Sequence, residues 1–348
     1  MKRLITYEAA INEALHEEMQ MDPRVFVYGI DVADHKRTFG TGIGILEKFG
    51  AERFFSAPLS EEALTGFGLG AAINGLRPIL THIRVDFMLL AMNQLVNMVA
   101  THTYGTGGKV KVPLTIRAVI GRGWGQGFQH SKSLQSFFAH IPGLKVVMPT
   151  TPYDAKGLLK AAIRDDAPVI VLEHRWLYKQ KGEVPKEDYI VPIGSSNVLR
   201  KGKDITIVAT SWMNVEAAHA ADILERERGI EAEIIDPRTI SPLHDEPIFR
   251  SVGKTGHCIV ADYDWANCGF SAEVAARVSE ACYGVLKSPV RRIAFPETHC
   301  PTTRPLENIF YPNAKDIVRA AEKSLNLRPI DLSKENFYSH EHTFTGPF

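Results

Sequence analysis

Residues 53–78 read RFFSAPLSEEALTGFGLGAAINGLRP, and this stretch predicts a β-strand that runs into an α-helix. The junction between them is polar and contains Ser60, Glu61 and Glu62. A carboxylate at such a junction either interacts with the positive end of the helix dipole or points from the sheet edge into a cleft. The first role is structural and the second catalytic, and the residues of the junction leave both open.

The helix that follows the junction, predicted at residues 62–75, is rich in glycine and alanine. Each glycine inside a helix costs about 1 kcal/mol relative to alanine. Such a cost is tolerable where another backbone or a ligand approaches the helix closely. We therefore expect tight packing against this helix.

Outward from this stretch, short apolar runs alternate with amphipathic segments, which predicts an α/β protein with a mainly parallel sheet covered by helices. The first domain is assigned to residues 1–175, a polar linker to 176–203 and a second, smaller α/β domain to 204–327. Residues 328–348 are expected to form a surface tail, where His340 and His342 are better explained by solvation than by a metal site. Predicted strands are 25–30, 54–58, 78–83, 114–120, 144–148, 169–173, 205–209, 231–235, 257–261 and 290–294, and predicted helices are 7–19, 62–75, 87–104, 152–165, 214–228, 272–282 and 313–325.

The amino-acid composition argues against some classes of function. The 348 residues are 45% hydrophobic and 23% charged, and 40 basic side chains balance 40 acidic ones. A neutral chain lacks the electrostatic footprint of a nucleic-acid or anionic-membrane binder. With neither a signal peptide nor an apolar span in the sequence, we expect a cytoplasmic protein. Its four cysteines lack zinc-type spacing and are expected to be reduced and mostly buried.

Two glycine-rich segments are candidates for ligand binding. Residues 40–44 read GTGIG, which lacks the G-x-G-x-x-G spacing of dinucleotide sites and favours a flexible loop. Residues 121–131 read GRGWGQGFQHS and place four glycines before His130. A histidine presented by such a loop can exchange protons near neutral pH, so a functional His130 is favoured over a structural one.

Three segments together resemble a known family. Residues 53–78, the stretch HIPGLKVVMPTTPYDAKGLLKAAIRDDAPVIVLE at 140–173 and the QHS of 129–131 are similar to the β subunit of the thiamine-diphosphate-dependent decarboxylase component of 2-oxoacid dehydrogenase complexes. The resemblance covers about residues 4–327. It implies a pyrimidine-binding domain followed by a transketolase-type C-terminal domain.

The resemblance also implies roles for individual residues. Glu61 matches the glutamate that hydrogen-bonds a ring nitrogen of the cofactor's aminopyrimidine and so activates the thiazolium carbon. Glu62 then corresponds to a residue of the first helical turn that interacts with the dipole. Phe87 matches the aromatic residue packed against the pyrimidine, with Leu89 beside it in the cofactor site. His130 matches the histidine that steadies the substrate carboxylate or the acyl acceptor.

Metal ions and a partner subunit follow from the same resemblance. Leu114, Ala162, Asp165 and Ala167 stand where family members hold a monovalent cation, such as K⁺, largely through backbone oxygens. The Gly-Asp-Gly segment that anchors Mg²⁺ and the diphosphate is absent from the sequence. The resemblance therefore implies a separate α subunit that holds Mg²⁺ and shares the thiamine diphosphate, in an α2β2 assembly.

Departures from the family pattern cluster near the expected site. Ile30 replaces an acidic residue, Thr81-His82 replaces a Glu-Phe pair, and Arg84 adds a charge. We expect His82, Arg84 and Trp124 to shape the substrate pocket. The favoured function is decarboxylation of a 2-oxoacid with transfer of the acyl group to a lipoyl carrier. A split transketolase or acyloin-forming enzyme and a non-catalytic assembly subunit are the alternatives.

Overall fold

A computed structural model describes residues 3–121 and 125–338 of the chain. The described residues form two compact units. The first comprises residues 3–121 and 130–193, and the second comprises residues 125–129 and 194–338. Among these residues, no helix has both the length and the apolar character that a membrane crossing requires.

The first unit alternates strands and helices from its start. Its strands are β1 (Leu4–Thr6), β2 (Val25–Ile30), β3 (Phe54–Ala57), β4 (Arg77–His82), β5 (Thr115–Ile120), β6 (Lys145–Val147), β7 (Val169–His174) and β8 (Lys181–Glu183). Its α-helices are α1 (Tyr7–Met21), α2 (Ile45–Phe49), α3 (Glu61–Ile73), α4 (Val85–Met88), α5 (Ala100–Gly105), α6 (Gln135–Ala139) and α7 (Pro152–Arg164).

Six parallel strands of this unit lie side by side in the order β6-β7-β5-β4-β2-β3. Strands β5 and β7 are buried along their whole length. Their β-branched residues suit a sheet that is covered on both faces. Strands β1 and β8 pair separately as an antiparallel ribbon.

Local sequence explains where the longest helices of this unit begin. Helix α7 starts at Pro152, whose missing N–H is harmless in the first turn. The side chain of Thr151 caps it by accepting a hydrogen bond from the Asp154 backbone N–H at 3.1 Å. Helix α1 packs against α7. Two buried lysines of α7, Lys156 and Lys160, bind carboxylates of α1.

The second unit has a five-stranded sheet in the order β14-β13-β10-β11-β9, in which only β9 runs antiparallel. Helix α12 begins with a capping box formed by Asn313 and Asp316. Strands of the unit are β9 (Asn197–Arg200), β10 (Ile205–Ala209), β11 (Ala232–Asp236), β12 (Thr239–Ser241), β13 (Cys258–Trp265) and β14 (Arg291–Phe295), and α-helices are α8 (Met213–Arg228), α9 (Glu246–Thr255), α10 (Phe270–Ala281), α11 (Arg304–Phe310) and α12 (Ala314–Leu325).

The structure corrects one expected helix and adds detail to the expected linker and tail. The helix expected at 87–104 is interrupted by a 3₁₀ turn at Leu89–Ala91 and a π-helix at Gln94–Val99, a distortion that apolar periodicity does not reveal. The expected linker contains β8 and β9. In the expected tail, Ile330, Leu332 and Phe337 are buried. Ser339, His340, Glu341 and His342 lie outside the described residues.

The cysteines agree with their prediction. All four are free thiols, and Cys258, Cys282 and Cys300 are buried whereas Cys268 is exposed. Burial raises the pKa of Cys258 to about 12. The three buried thiols therefore pack as small hydrophobic side chains.

Candidate functional site

The strand order of the first unit creates a crevice at one edge of its sheet. The connection from β2 leads to β3 on one side, whereas the chain beyond β3 crosses to β4 on the other side of β2. Ligands of open parallel sheets bind at such a switch point, outside the carboxyl ends of the strands. The segments after β2, β3, β4, β5 and β7 therefore supply the candidate site.

Glu61 is the first residue of α3, directly after the junction that follows β3. Its side chain is nearly buried, with 9% of the residue exposed. Across residues 3–121 and 125–338, its carboxylate makes no hydrogen bond or ion pair. Only its backbone carbonyl is engaged, accepting a bond from the Thr65 hydroxyl at 2.9 Å. A buried carboxylate left without a protein partner is a candidate for binding a ligand.

Glu62 differs from its neighbour. It is exposed and accepts a hydrogen bond from the Asn93 side chain at 3.2 Å. Both glutamates lie in the first turn of α3, where the helix dipole favours negative charge. The contact with Asn93 ties the start of α3 to the segment that follows Phe87 and Leu89.

Phe87 and His130 come together at the same sheet edge. Their ring centroids are 5.2 Å apart and their planes are nearly perpendicular, a favourable edge-to-face geometry. Both side chains are partly exposed, so both remain accessible to a ligand. Leu89, also partly exposed, lies in the 3₁₀ turn that packs against α3. The structure thus brings Phe87 to His130, and the Leu89 turn to the helix of Glu61.

The end of β4 carries buried polar atoms that the fold does not satisfy. Thr81 Oγ1 and His82 Nε2 have no hydrogen-bond partner among the described residues. Burial lowers the pKa of His82 to about 4, so its ring is neutral at physiological pH. Asp86 is buried as well, and its Oδ1 accepts a hydrogen bond from Lys132 Nζ at 2.9 Å. Lys132 and Asp86 join the segment after β4 to the segment that carries His130.

A buried ion pair supports the sheet behind this edge. Arg117 of β5 binds Glu173 of β7 through Nε at 2.6 Å and Nη2 at 2.9 Å. The Tyr178 hydroxyl donates a third bond to the same carboxylate at 2.9 Å. Arg117 Nη2 also donates to the Thr41 hydroxyl at 3.2 Å, which fixes the loop after β2. Three hydrogen-bond donors contact this one carboxylate, and they compensate for the hydration that the ion pair loses on burial.

Arg175 and Phe39 belong to the candidate site, although the sequence pattern did not single them out. Arg175 directly follows β7, and its guanidinium carbon lies 3.5 Å from the centroid of the Phe39 ring. Burial, and then the nearby charge of Arg84, lower the pKa of Arg175 to about 10. Arg84 lies two residues after the end of β4. Both arginines lie within two positions of the end of a predicted strand, which is the signal in the sequence that could have identified them.

The four residues expected around a monovalent cation lie at the opposite edge of the sheet. Leu114 precedes β5, and its carbonyl accepts a bond from the Val169 N–H at 3.0 Å. The Ala162 carbonyl accepts from the Asp165 N–H, and the Ala167 N–H donates to the Asp165 carboxylate. Two positive groups are already present, because Arg77 donates to the Asp165 carbonyl and Lys145 Nζ lies 2.6 Å from its carboxylate.

Three residues are expected to shape the substrate pocket. His82 and Arg84 lie at the carboxyl edge, whereas Trp124 is outside the described residues. Among residues 3–121 and 125–338, no group of three or more His, Cys, Asp or Glu side chains is arranged to hold a metal ion. The free Glu61 carboxylate and the half-exposed Phe87 ring fit one half of an aminopyrimidine site. The chain therefore offers groups for an organic cofactor at one edge of its first unit.

Comparison with known proteins agrees with this architecture. Residues 3–181 match the family described as transketolase, pyrimidine binding domain, and residues 194–317 match transketolase, C-terminal domain. A solved structure described as "Split gene transketolase, inactive beta4 tetramer" superposes with a TM-score of 0.74 at 25% identity, covering 93% of this chain and 99% of that one.

Curated relatives span nearly the whole chain. The acetoin:2,6-dichlorophenolindophenol oxidoreductase subunit beta of Cupriavidus necator is 41% identical over 335 residues, covering 93% of this chain and 98% of that protein. The 2-oxoisovalerate dehydrogenase subunit beta of Bacillus subtilis is 41% identical, with 92% and 98% covered. The pyruvate dehydrogenase E1 component subunit beta of the same species is 39% identical, with 93% and 99% covered. The chain therefore belongs to the transketolase-like family formed by the β subunits of thiamine-diphosphate-dependent 2-oxoacid dehydrogenases.

Proposed function

We propose that this chain, together with an α subunit, decarboxylates a 2-oxoacid and transfers the acyl group to a lipoyl carrier. The observation that carries the proposal is the Glu61 carboxylate, which is nearly buried at the sheet edge and has no partner among the described residues. Relatives named as β subunits of pyruvate and 2-oxoisovalerate dehydrogenases support the reaction class.

Each site residue has a distinct task in this proposal. Thiamine diphosphate, when bound, supplies the carbon nucleophile and the electron sink for decarboxylation. Glu61 holds a proton at a pyrimidine ring nitrogen, and burial keeps water from competing for that contact. The Phe87 ring and the Leu89 side chain form the apolar wall of the pocket. His130, held against Phe87, donates a hydrogen bond to the substrate carboxylate or to the acyl acceptor.

The second half of the cofactor site is assigned to an α subunit. The chain has no Gly-Asp-Gly segment, so we assign Mg²⁺ and the diphosphate to that partner, in an α2β2 assembly. The superposed split-gene transketolase is described as inactive in its β4 form, which supports a need for two kinds of subunit. We retain the domain limits 1–175 and 204–327 and a cytoplasmic location as parts of the proposal.

A structural K⁺ is the remaining part of the proposal. The carbonyl oxygens of Leu114, Ala162 and Asp165 each accept one hydrogen bond, and a carbonyl has two lone pairs. The free lone pairs can coordinate a monovalent cation, whereas Arg77 and Lys145 oppose it by their charge. We therefore assign this cation a structural role remote from Glu61.

The experiment is co-expression with a candidate α subunit, followed by turnover of a 2-oxoacid panel with thiamine diphosphate, Mg²⁺ and an artificial electron acceptor, with and without a lipoyl domain. Glu61→Gln should lower dye reduction at least about 100-fold, since general acid–base assistance contributes that much. Glu62→Gln is the matched control, because Glu62 is exposed and bound to Asn93. Unchanged turnover of Glu61→Gln in an intact assembly would remove the mechanism.

A split transketolase is the second candidate, favoured by the superposition on a split-gene transketolase. In that case the same assembly transfers a two-carbon unit to an aldehyde and acylates no lipoyl domain. Carbon transfer without oxoacid-dependent dye reduction would select this function. Cofactor binding with neither reaction would indicate a non-catalytic assembly subunit.

A further inference from the structure

The short segment that carries His130 has no regular secondary structure. It comprises residues 130–134, between the 3₁₀ turn Gly127–Gln129 and helix α6. A segment without helix or strand hydrogen bonds depends on its tertiary contacts for a fixed conformation. Its backbone bond to the residue after β5 is long, since the Gly121 N–H donates to the Lys132 carbonyl at 3.4 Å. We therefore expect side-chain contacts to fix the position of His130.

Helix α4, in contrast, is firmly anchored in the core of the first unit. Its first and last residues, Val85 and Met88, are completely buried. The helix contacts both β4 and β5. Asp86 and Phe87 lie between the two buried residues, so close packing of the core fixes where their side chains begin.

An ion pair links this anchored helix to the irregular segment. Lys132 Nζ lies 2.9 Å from Asp86 Oδ1. Across residues 3–121 and 125–338, the Asp86 carboxylate makes no other hydrogen bond or ion pair, and its Oδ2 is without a partner. A nearly buried carboxylate holds its cation strongly, because separating the two would leave a buried charge uncompensated. The contact therefore ties α4 to a residue two positions after His130.

The same two segments meet a second time through their rings. Phe87, the residue after Asp86, contacts the His130 ring edge to face at a centroid distance of 5.2 Å. An aromatic contact of this kind is weak by itself. The ion pair and the ring contact reinforce each other, because both join the same two short pieces of chain. Together they fix the place and the orientation of the imidazole.

We propose that Asp86 and Lys132 are positioning residues, whose ion pair holds the His130 ring against Phe87 for contact with the substrate carboxylate or the acyl acceptor. The inference rests on the proposed function for the task of His130. The Asp86 side chain is 4% exposed and that of Lys132 is 25% exposed. The carboxylate is thus the fixed member of the pair, and the lysine with its segment is held by it. A misplacement of about 1 Å at a reacting group can cost about 100-fold in rate, which is the loss that the pair prevents.

The kinetic test uses the assembled α and β subunits with a 2-oxoacid, thiamine diphosphate, Mg²⁺ and an artificial electron acceptor. Lys132→Met should lower kcat/KM about 10- to 100-fold. It should leave the affinity for thiamine diphosphate unchanged, because Glu61 is untouched. Lys132→Arg should retain most of the activity, since it keeps the charge and the donors. Asp86→Asn combined with Lys132→Met leaves no unpaired buried charge, so this variant should fold and show the same loss. Lys254→Met, which breaks a lysine pair with the mostly buried Glu233 of the second unit, is the matched control.

A second background distinguishes positioning from a merely structural role. If Lys132 acts through His130, Lys132→Met should change turnover less than about 2-fold in a protein that already carries His130→Ala. A structural role would lower turnover alike in both backgrounds. Losses that multiply would therefore overturn the proposal.

A measurement without turnover separates this inference from the proposed function. Diethyl pyrocarbonate modifies accessible imidazoles, and mass spectrometry of the peptides gives the rate at each histidine of the assembly. Lys132→Met should speed modification of the half-buried His130, whereas the buried His82 should remain unmodified and so exclude general unfolding. This result in an assembly that turns over no 2-oxoacid would support the positioning role and reject the dehydrogenase function. Dye reduction that requires His130 but ignores Lys132, with an unchanged modification rate, would overturn the positioning role and leave the function standing.

Discussion

Buried polar residues at the carboxyl edge of the first sheet differ in how the fold compensates for their burial. Arg117 and Glu173 pair directly, and Tyr178 adds a third hydrogen bond. His82 instead remains neutral, and its Nε2 has no partner among the described residues. The first arrangement stabilises the sheet, whereas the second makes folding depend on pH.

We expect His82 to make the protein less stable in acid. Burial lowers its folded-state pKa from 6.5 to about 4. The unfolded chain therefore binds more protons below pH 6.5, and the free energy of unfolding falls as the pH decreases from 6.5 to 4. The loss attributable to His82 is at most about 3 kcal/mol. Urea unfolding at pH 7.5 and 4.5 measures it, and His82→Phe should reduce the difference between the two pH values. Parallel pH profiles for both proteins would contradict the assignment.

Helix α3 shows why its glycines are not equivalent. A Cβ at Gly68 would lie 2.3 Å from the Tyr28 hydroxyl and 3.0 Å from Leu114 Cδ1. That hydroxyl donates to the Leu64 carbonyl at 2.8 Å, within the same helix. A Cβ at Gly70, by contrast, would meet nothing within 4 Å. The glycine-rich sequence predicted a close approach to this helix, and the structure shows one at Gly68. The group that approaches is the side chain of Tyr28 on β2.

We therefore expect opposite effects from two substitutions on this helix. Gly68→Ala should destabilise the purified chain by about 1–3 kcal/mol, since the new methyl group must displace Tyr28. Gly70→Ala should stabilise it by about 0.5–1 kcal/mol, because alanine is the better helix former and the space is open. Thermal or urea unfolding of both variants checks the pair, and Gly70→Ala is the matched control. Equal effects of the two variants would refute the close contact with Tyr28.

Sequence periodicity located elements better than it located their distortions. The runs at 205–209 and 152–165 predicted β10 and α7 almost to the residue, because both have clear apolar patterns and α7 has a Thr-Pro start. The segment 87–104 was predicted as one helix, since 3₁₀ and π turns preserve nearly the same apolar spacing. Phe87 and Leu89 fall where the helix is interrupted, and irregular turns of this kind are frequent at functional sites.

At the level of the molecule, activity should depend on a second polypeptide. The chain supplies Glu61, Phe87 and His130 but no Gly-Asp-Gly segment for the diphosphate. We expect the purified chain alone to show no 2-oxoacid turnover with thiamine diphosphate and Mg²⁺. Activity should rise with added α subunit and saturate at an equimolar ratio, with a mass of two copies of each chain by light scattering. Turnover by this chain alone, or saturation at another ratio, would contradict the shared site.

The sequence by itself determined the alternating α/β architecture, the family and the candidate residues Glu61, Phe87 and His130, because periodicity and motif spacing are local along the chain. Only the tertiary structure decided which of these residues meet. It paired Phe87 with His130 and separated the residues around Asp165 to the opposite edge of the sheet. It also brought Arg84 and Arg175, 91 positions apart in the chain, to the ring of Phe39. Strand order decides these contacts, and strand order depends on long-range pairing and crossover connections that no local pattern encodes.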